Sequence, residues 1–267
     1  MLRSIYLKSM WDRRRSMVWW TIGIVALSGV TVAFYPSIAA DQDAFEQLLN
    51  AYPEEMLSFF GIDDGAELAS PEGFVNSQLY ANVVPIMLFI FTIGMGTAAI
   101  AGEEDKRTMD LLLAQPTTRE RVVLDSFAAM ATLSGVLTIT LVLVLVVSNS
   151  PAGLDMSFVG IVAANIGVWL LGLVFGVLAL ALGAITGRRG LTIGAASGIA
   201  VAAFFLYGLA PLVKSLEPLQ KLSPFWWYLG AKPLNNGFDV MFLLMIVWIA
   251  AGLAAALWGF RRRDVGV

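Results

Sequence analysis

Residues 102–121 read GEEDKRTMDLLLAQPTTRER, the longest stretch between apolar segments that is rich in charge of both signs. Apolar helices need only a few residues to turn round, and this chain does so at Thr186-Gly187-Arg188-Arg189-Gly190. Twenty residues with a helical pattern of their own therefore imply a surface built to meet something. Glu103, Glu104 and Asp105 place negative charge at its start, and Leu111, Leu112 and Leu113 add apolar side chains that a solvated loop does not need. Gln115-Pro116 stops one helix, because Pro disfavours helical geometry at the residue before it and has no N–H to donate. Thr117-x-x-Glu120 has the capping-box pattern and starts the next. The expected form is a short helix lying at a membrane face, a sharp turn, and a new membrane-spanning helix.

Composition supplies the membrane. The chain has 267 residues, 58% hydrophobic and 14% charged, with a mean hydropathy of +0.77. Soluble domains carry about 25% charged residues. The absence of Cys excludes disulfides and thiolate chemistry, and the absence of His removes the commonest general base and metal ligand. A net charge of −3 gives no footprint for nucleic acid.

Six apolar segments follow, at about 17–35, 80–101, 122–147, 158–186, 191–213 and 239–260, each near or above the ~20 residues that cross ~30 Å of hydrocarbon. Ahead of the first, residues 1–16 carry Arg3, Lys8, Arg13, Arg14 and Arg15. Leu2, Ile5, Tyr6 and Met10 share one helical face there, as in a short amphipathic helix at the interface; a plain basic tail is the simpler alternative. The first segment is expected to be a retained span rather than a cleaved signal, since it exceeds the usual apolar length and Trp19-Trp20 suits an interfacial anchor. Residues 36–79 form a long loop with nine acidic residues and no Lys or Arg, containing short helical patterns around Phe45, Leu48, Leu49 and Tyr52. Those acids fit a solvated face or a cation- or partner-binding one. Residues 214–238 read as an interfacial or re-entrant segment, with aromatic anchors at Trp226, Trp227 and Tyr228.

Placing both termini in the cytoplasm puts 14 of the 17 Lys and Arg residues on that side, including those of 102–121. Away from their ends the six spans contain no Asp, Glu, Lys or Arg, which argues against a proton-driven antiporter. No G-x-x-x-x-G-K-[ST] run occurs, so the chain has no P-loop for ATP. Energy is expected to come from another chain.

The run Glu103-Glu104, Thr108, Leu111-Leu112-Leu113, Pro116, Arg119 resembles the E-E-x-x-x-T-x-x-L-L-x-x-P-x-x-R signature of type-2 ABC-exporter permeases, with one residue more between the Thr and the Pro. That family usually has Gly just before the Thr, where this chain has Arg107. Weaker similarities lie at Pro71-Glu72-Gly73-Phe74, at Ser223-Pro224-Phe225 and at Arg262-Arg263-Asp264, so the resemblance spans nearly the whole chain. It implies an all-helical permease with six transmembrane helices, whose segment 102–121 is the coupling helix that enters a cleft of a separate ATPase subunit. It further implies two ATPase subunits holding ATP and Mg, a second permease subunit, identical or related, and a prokaryotic plasma membrane. No cofactor is expected on this chain. The family's second and fifth spans line the route, which points to Phe89, Phe91, Met95, Phe204, Phe205 and Tyr207. Aromatic and Met residues in apolar spans also serve as core or face lipid.

Gly190, Gly194 and Gly198 repeat at four-residue spacing and let two backbones approach closely, within the bundle or against a second protomer. Two other functions are open to a chain of this composition. A self-sufficient channel or scaffold leaves 102–121 unexplained. An intramembrane enzyme would need a buried base or carboxylate pair that the spans do not supply.

Overall fold

The computed structural model describes residues 4–40, 70–109, 118–212 and 216–263. No strand occurs among them, and six helices are long and apolar enough to cross a membrane. Helix α1, Ile5–Ala39, is capped by Ser4, whose hydroxyl accepts from the Leu7 N–H at 3.2 Å. The basic segment and the first span, expected as two pieces, are one helix. The reason is local: neither Gly nor Pro occurs before Gly23, so nothing interrupts the hydrogen-bond ladder. Thirty-five residues at ~1.5 Å each reach about 52 Å against ~30 Å of hydrocarbon, so the basic turns stand clear of the apolar layer. Their apolar face does not lie on lipid. Tyr6 donates its N–H to the Asp125 carboxylate at 3.4 Å and its hydroxyl to Thr132 at 3.3 Å, docking α1 on the third span. Asp125 and Asp239, the ionisable residues within the expected span boundaries, lie respectively in the second turn of the helix that starts at Arg119 and three residues ahead of the helix that starts at Phe242.

Helix α2 is Pro71–Ala99, starting well inside the expected 36–79 loop. Ser70 caps it by accepting from Gly73 N–H at 3.1 Å, and Pro71 fits the first helical position, where no N–H is needed. Its stretch Asn76–Val83 is π-helical, just before Pro85, whose ring nitrogen has no hydrogen for the ladder. The remaining part of that loop, 41–69, with its Phe45 and Tyr52 pattern, lies outside the described residues.

After a kink at Ile100 comes the short α3, Ala101–Asp105. Helix α4, Arg119–Asn149, is capped by Thr118, whose hydroxyl accepts from Arg121 N–H at 3.2 Å. The cap therefore falls one residue after the expected Thr117, which lies outside the described residues, and Glu120 is free to pair elsewhere. Helix α5, Phe158–Thr186, ends at the left-handed Gly187, and α6 is Arg189–Leu209. Three short helices follow: α7, Glu217–Gln220; α8, Pro224–Leu229; and α9, Pro233–Asn236. The last span is α10, Phe242–Arg262.

The core is built round α5, against which α2, α4, α6 and α10 pack. Small residues permit this. A Cβ on Gly96 of α2 would run into the Gly176 carbonyl oxygen of α5, and Gly172 meets Leu88. The Thr92 hydroxyl points into the Leu88 and Gly172 carbonyls, 2.8 Å from each, which satisfies a polar group in an otherwise apolar seam.

Within 214–238, expected as interfacial or re-entrant, two of the three expected aromatic anchors turn into the bundle instead. Trp227 and Tyr228 are buried, and the Tyr228 ring rests on Gly167 of α5. Ser223 and Pro224 start a helix there, and that turn directs Phe225, Tyr228 and Leu229 into the core rather than toward headgroups.

Candidate functional site: a clasped junction at the end bearing both termini

Glu103, Glu104 and Asp105 are the last three residues of α3, just past the bend at Ile100. The turn after α3 is closed by two hydrogen bonds, Thr108 N–H to the Glu103 carbonyl and Arg107 N–H to the Glu104 carbonyl, both 2.9 Å. This is the Schellman arrangement, and it requires a left-handed residue at Arg107, which has φ 56°. Glycine adopts that conformation without penalty, whereas a side chain costs about 1 kcal/mol there. The turn forms with Arg107 all the same. The Thr108 hydroxyl adds a 2.7 Å bond to the Glu103 carboxylate, and Met109 is buried in the apolar cluster beneath, with Ile100, Val122 and Phe260.

Each of the three acids meets a cation from a different helix. Glu103 lies 3.9 Å from Lys8 of α1. Glu104 pairs with Arg263 at the end of α10. Asp105 lies 3.3 Å from Arg189 at the start of α6. The second of these is the most enclosed, its side chains 18% and 20% exposed, against 55% and 52% for Asp105 and Arg189. Gly187 makes room for it: a Cβ there would meet both Arg263 and Glu104, and its φ of 64° favours glycine independently.

Arg119 closes the other side. Its guanidinium donates to the Phe260 carbonyl at 3.0 Å and the Arg263 carbonyl at 2.5 Å, covering the orphan carbonyls at the end of α10, and it lies over the Phe260 ring. Glu120 pairs with Arg261 at 2.5 Å. The structure thus brings Glu103, Glu104, Thr108 and Arg119 to one junction. Leu111, Leu112, Leu113 and Pro116 lie outside the described residues. Sequence reasoning missed the partners Lys8, Arg189, Arg261 and Arg263; the available signal was that the basic clusters at 188–189 and 261–263 fall on the same side as the acids.

The expected pathway residues divide. Phe89, Phe204 and Tyr207 gather round Phe225 of α8, with ring centroids 5.7, 5.4 and 6.4 Å away. Phe89 also meets Phe175 at 4.8 Å. A cavity of about 210 Å³ opens beside them between α2 and α6, lined by Phe89, Phe204, Phe205 and Phe225. Phe91 faces away, edge-on to Trp20 of α1 at 5.6 Å, and Met95 lies toward the α3 end. Phe225 was legible only as part of a short motif, because nothing in its spacing shows that α8 folds inward.

Gly190, Gly194 and Gly198 are exposed, and a Cβ at each would meet nothing within 4 Å. Packing within the described bundle therefore makes no use of that stripe.

Compared with known protein families, residues 3–265 match the family described as ABC-2 family transporter protein. No curated protein matches the chain.

Proposed function

The chain belongs to the ABC-2 transporter family, multi-pass permeases that work with an ABC ATPase, and from that premise we propose that it is the membrane subunit of an ATP-driven exporter whose segment 102–121 receives the ATPase stroke. The observation that carries this is the clasp of three consecutive acids to three helices. A displacement applied to α3 pulls on α1, α6 and α10 at once, besides α2 and α4, with which the segment is continuous. A loosely tethered loop would absorb the same displacement.

In this mechanism ATP, with Mg, binds two ATPase subunits and closes them. Leu111, Leu112 and Leu113 form the apolar contact with the ATPase. Glu103, Glu104, Thr108 and Arg119 act as positioning residues that transmit its movement, through charge-assisted hydrogen bonds within the permease. Helices α2 and α4 then rock and change access from the cytoplasmic to the outer side. The positive-inside balance supports the cytoplasmic placement of the clasp.

A second permease subunit, identical or related, packs along the open Gly190, Gly194 and Gly198 face of α6, where small residues permit close approach. The cargo is apolar or amphiphilic and passes near Phe89, Phe204, Phe205 and Tyr207, which line or adjoin an aromatic cavity with scarcely any polar surface. Membership of the family fits a non-catalytic chain in a prokaryotic plasma membrane.

Leu112→Asp tests the coupling directly. It places a charge in an apolar contact that must be desolvated, so substrate-stimulated ATP hydrolysis by the reconstituted complex is expected to fall at least tenfold. Unchanged stimulation would contradict the proposal.

A further inference from the structure

A second polar site lies behind the clasp. A cavity of about 190 Å³ is enclosed by the first turns of α1, the end of α2, the α3 turn and α4. Its ionisable lining is Lys8, Arg13 and Lys106, with Asp12 and Glu103 as the two carboxylates. Glu103 is already engaged, accepting from Thr108 at 2.7 Å and lying 3.9 Å from Lys8. Asp12 is exposed and interacts electrostatically with Arg13, without an ion pair between them.

That leaves Arg13 and Lys106. Neither makes a hydrogen bond or an ion pair with a described residue. For Lys106, which is exposed, water suffices. Arg13 is half-buried, and a guanidinium carries five N–H donors and stays charged, so leaving it without an acceptor in a recess is unfavourable. Ser126 of α4, 8% exposed, lines the same cavity and adds a hydroxyl to it. A planar fork, an ammonium and a hydroxyl round one recess match the tetrahedral oxygens of a phosphate group.

Position identifies the source of that phosphate. Arg13 stands four residues before Met17, where the apolar part of α1 begins, and Trp11 and Trp19 on either side are 57% and 73% exposed. Trp residues at that level mark headgroup depth. We propose that this cavity binds the phosphate of an anionic phospholipid, held by Arg13, Lys106 and Ser126. The bound lipid bridges α1 to the turn after α3 and makes the rigidity of the clasp depend on the anionic lipid of the surrounding membrane.

The test uses the full-length chain purified in detergent, with its thermal unfolding followed as phosphatidylglycerol, phosphatidylcholine or inorganic phosphate is added. Phosphatidylglycerol is expected to raise Tm saturably, and phosphatidylcholine to leave it unchanged. Lys106→Gln and Arg13→Gln are each expected to raise the half-saturating phosphatidylglycerol concentration roughly tenfold, the loss of one charged hydrogen-bond partner. Arg15→Gln, exposed and outside the cavity, should leave it unchanged. Should Arg13→Gln not fold, Lys106→Gln still decides, since its exposed side chain makes no hydrogen bond or ion pair with a described residue. Equal stabilisation by phosphatidylcholine, no shift with any anion, or an unaltered midpoint in Lys106→Gln would overturn the proposal. Stabilisation by inorganic phosphate alone, matching that by phosphatidylglycerol, would preserve the phosphate chemistry and overturn the membrane as its source.

Discussion

Glu104→Arg is expected to release the junction at the α3 end of the bundle, and Arg263→Glu in the same chain to restore it. The pair is mostly enclosed, and Gly187 is pressed against it, so a second cation at position 104 has neither water nor space to relieve it. Breaking a partly buried ion pair by removing one partner costs about 2–4 kcal/mol, most of it the stranded charge. Two measurements report the loss: the Tm of the purified chain, and the rate at which protease cuts within 102–121 in membrane vesicles. The reversed pair should recover more than half of both changes. Asp105→Asn supplies the contrast. Its partner Arg189 is half-exposed, and exposed pairs contribute about 0–1 kcal/mol, so neither measurement should move appreciably. If Asp105→Asn is as damaging as Glu104→Arg, burial does not set the hierarchy of the clasp.

Gly96→Leu is the second large effect. The ideal Cβ at Gly96 meets the Gly176 carbonyl oxygen and lies 2.9 Å from the Leu180 nitrogen, both backbone atoms that cannot rotate aside. The helices must separate, and Thr92 then loses the Gly172 carbonyl on the same seam. Overpacking of a close-packed core costs about 1–3 kcal/mol, and a backbone clash falls at or beyond the upper end. Gly94→Leu, on the same helix two residues earlier, places its Cβ where nothing lies within 4 Å. It should leave the Tm of the purified chain unchanged, whereas Gly96→Leu should lower it sharply or prevent folding. Equal effects at the two positions would mean that α2 and α5 are not in the register described.

The sequence made the six spans legible because twenty apolar residues in a row have few alternatives in water or lipid. It made the acidic start of 102–121 and Arg119 legible as one unit because their order is a pattern. Three things were hidden for physical reasons. The continuity of α1 depends on the absence of breakers between a charged and an apolar segment, and hydropathy registers only the change in polarity. The inward fold of Phe225, Trp227 and Tyr228 depends on tertiary contacts with α5, since aromatic residues suit an interface and a core equally well. The partners of Glu103, Glu104 and Asp105 are up to 159 residues away in sequence, so only the folded bundle brings them together. At Arg107 the reverse holds: the left-handed turn explains why glycine is usual at such a position, and the hydrogen bonds on either side explain why arginine is tolerated.

The central claim, that residues 102–121 dock on an ATPase, is tested most directly by proximity. The chain contains no cysteine, so Leu112→Cys creates a single attachment point for a photoactivatable crosslinker in native membranes. One dominant adduct is predicted, joining the permease to a subunit that carries a P-loop, and it should change in yield when ATP is trapped in the complex. A chain that crosslinks only to itself or to lipid, with 102–121 readily cut by protease, would contradict the claim.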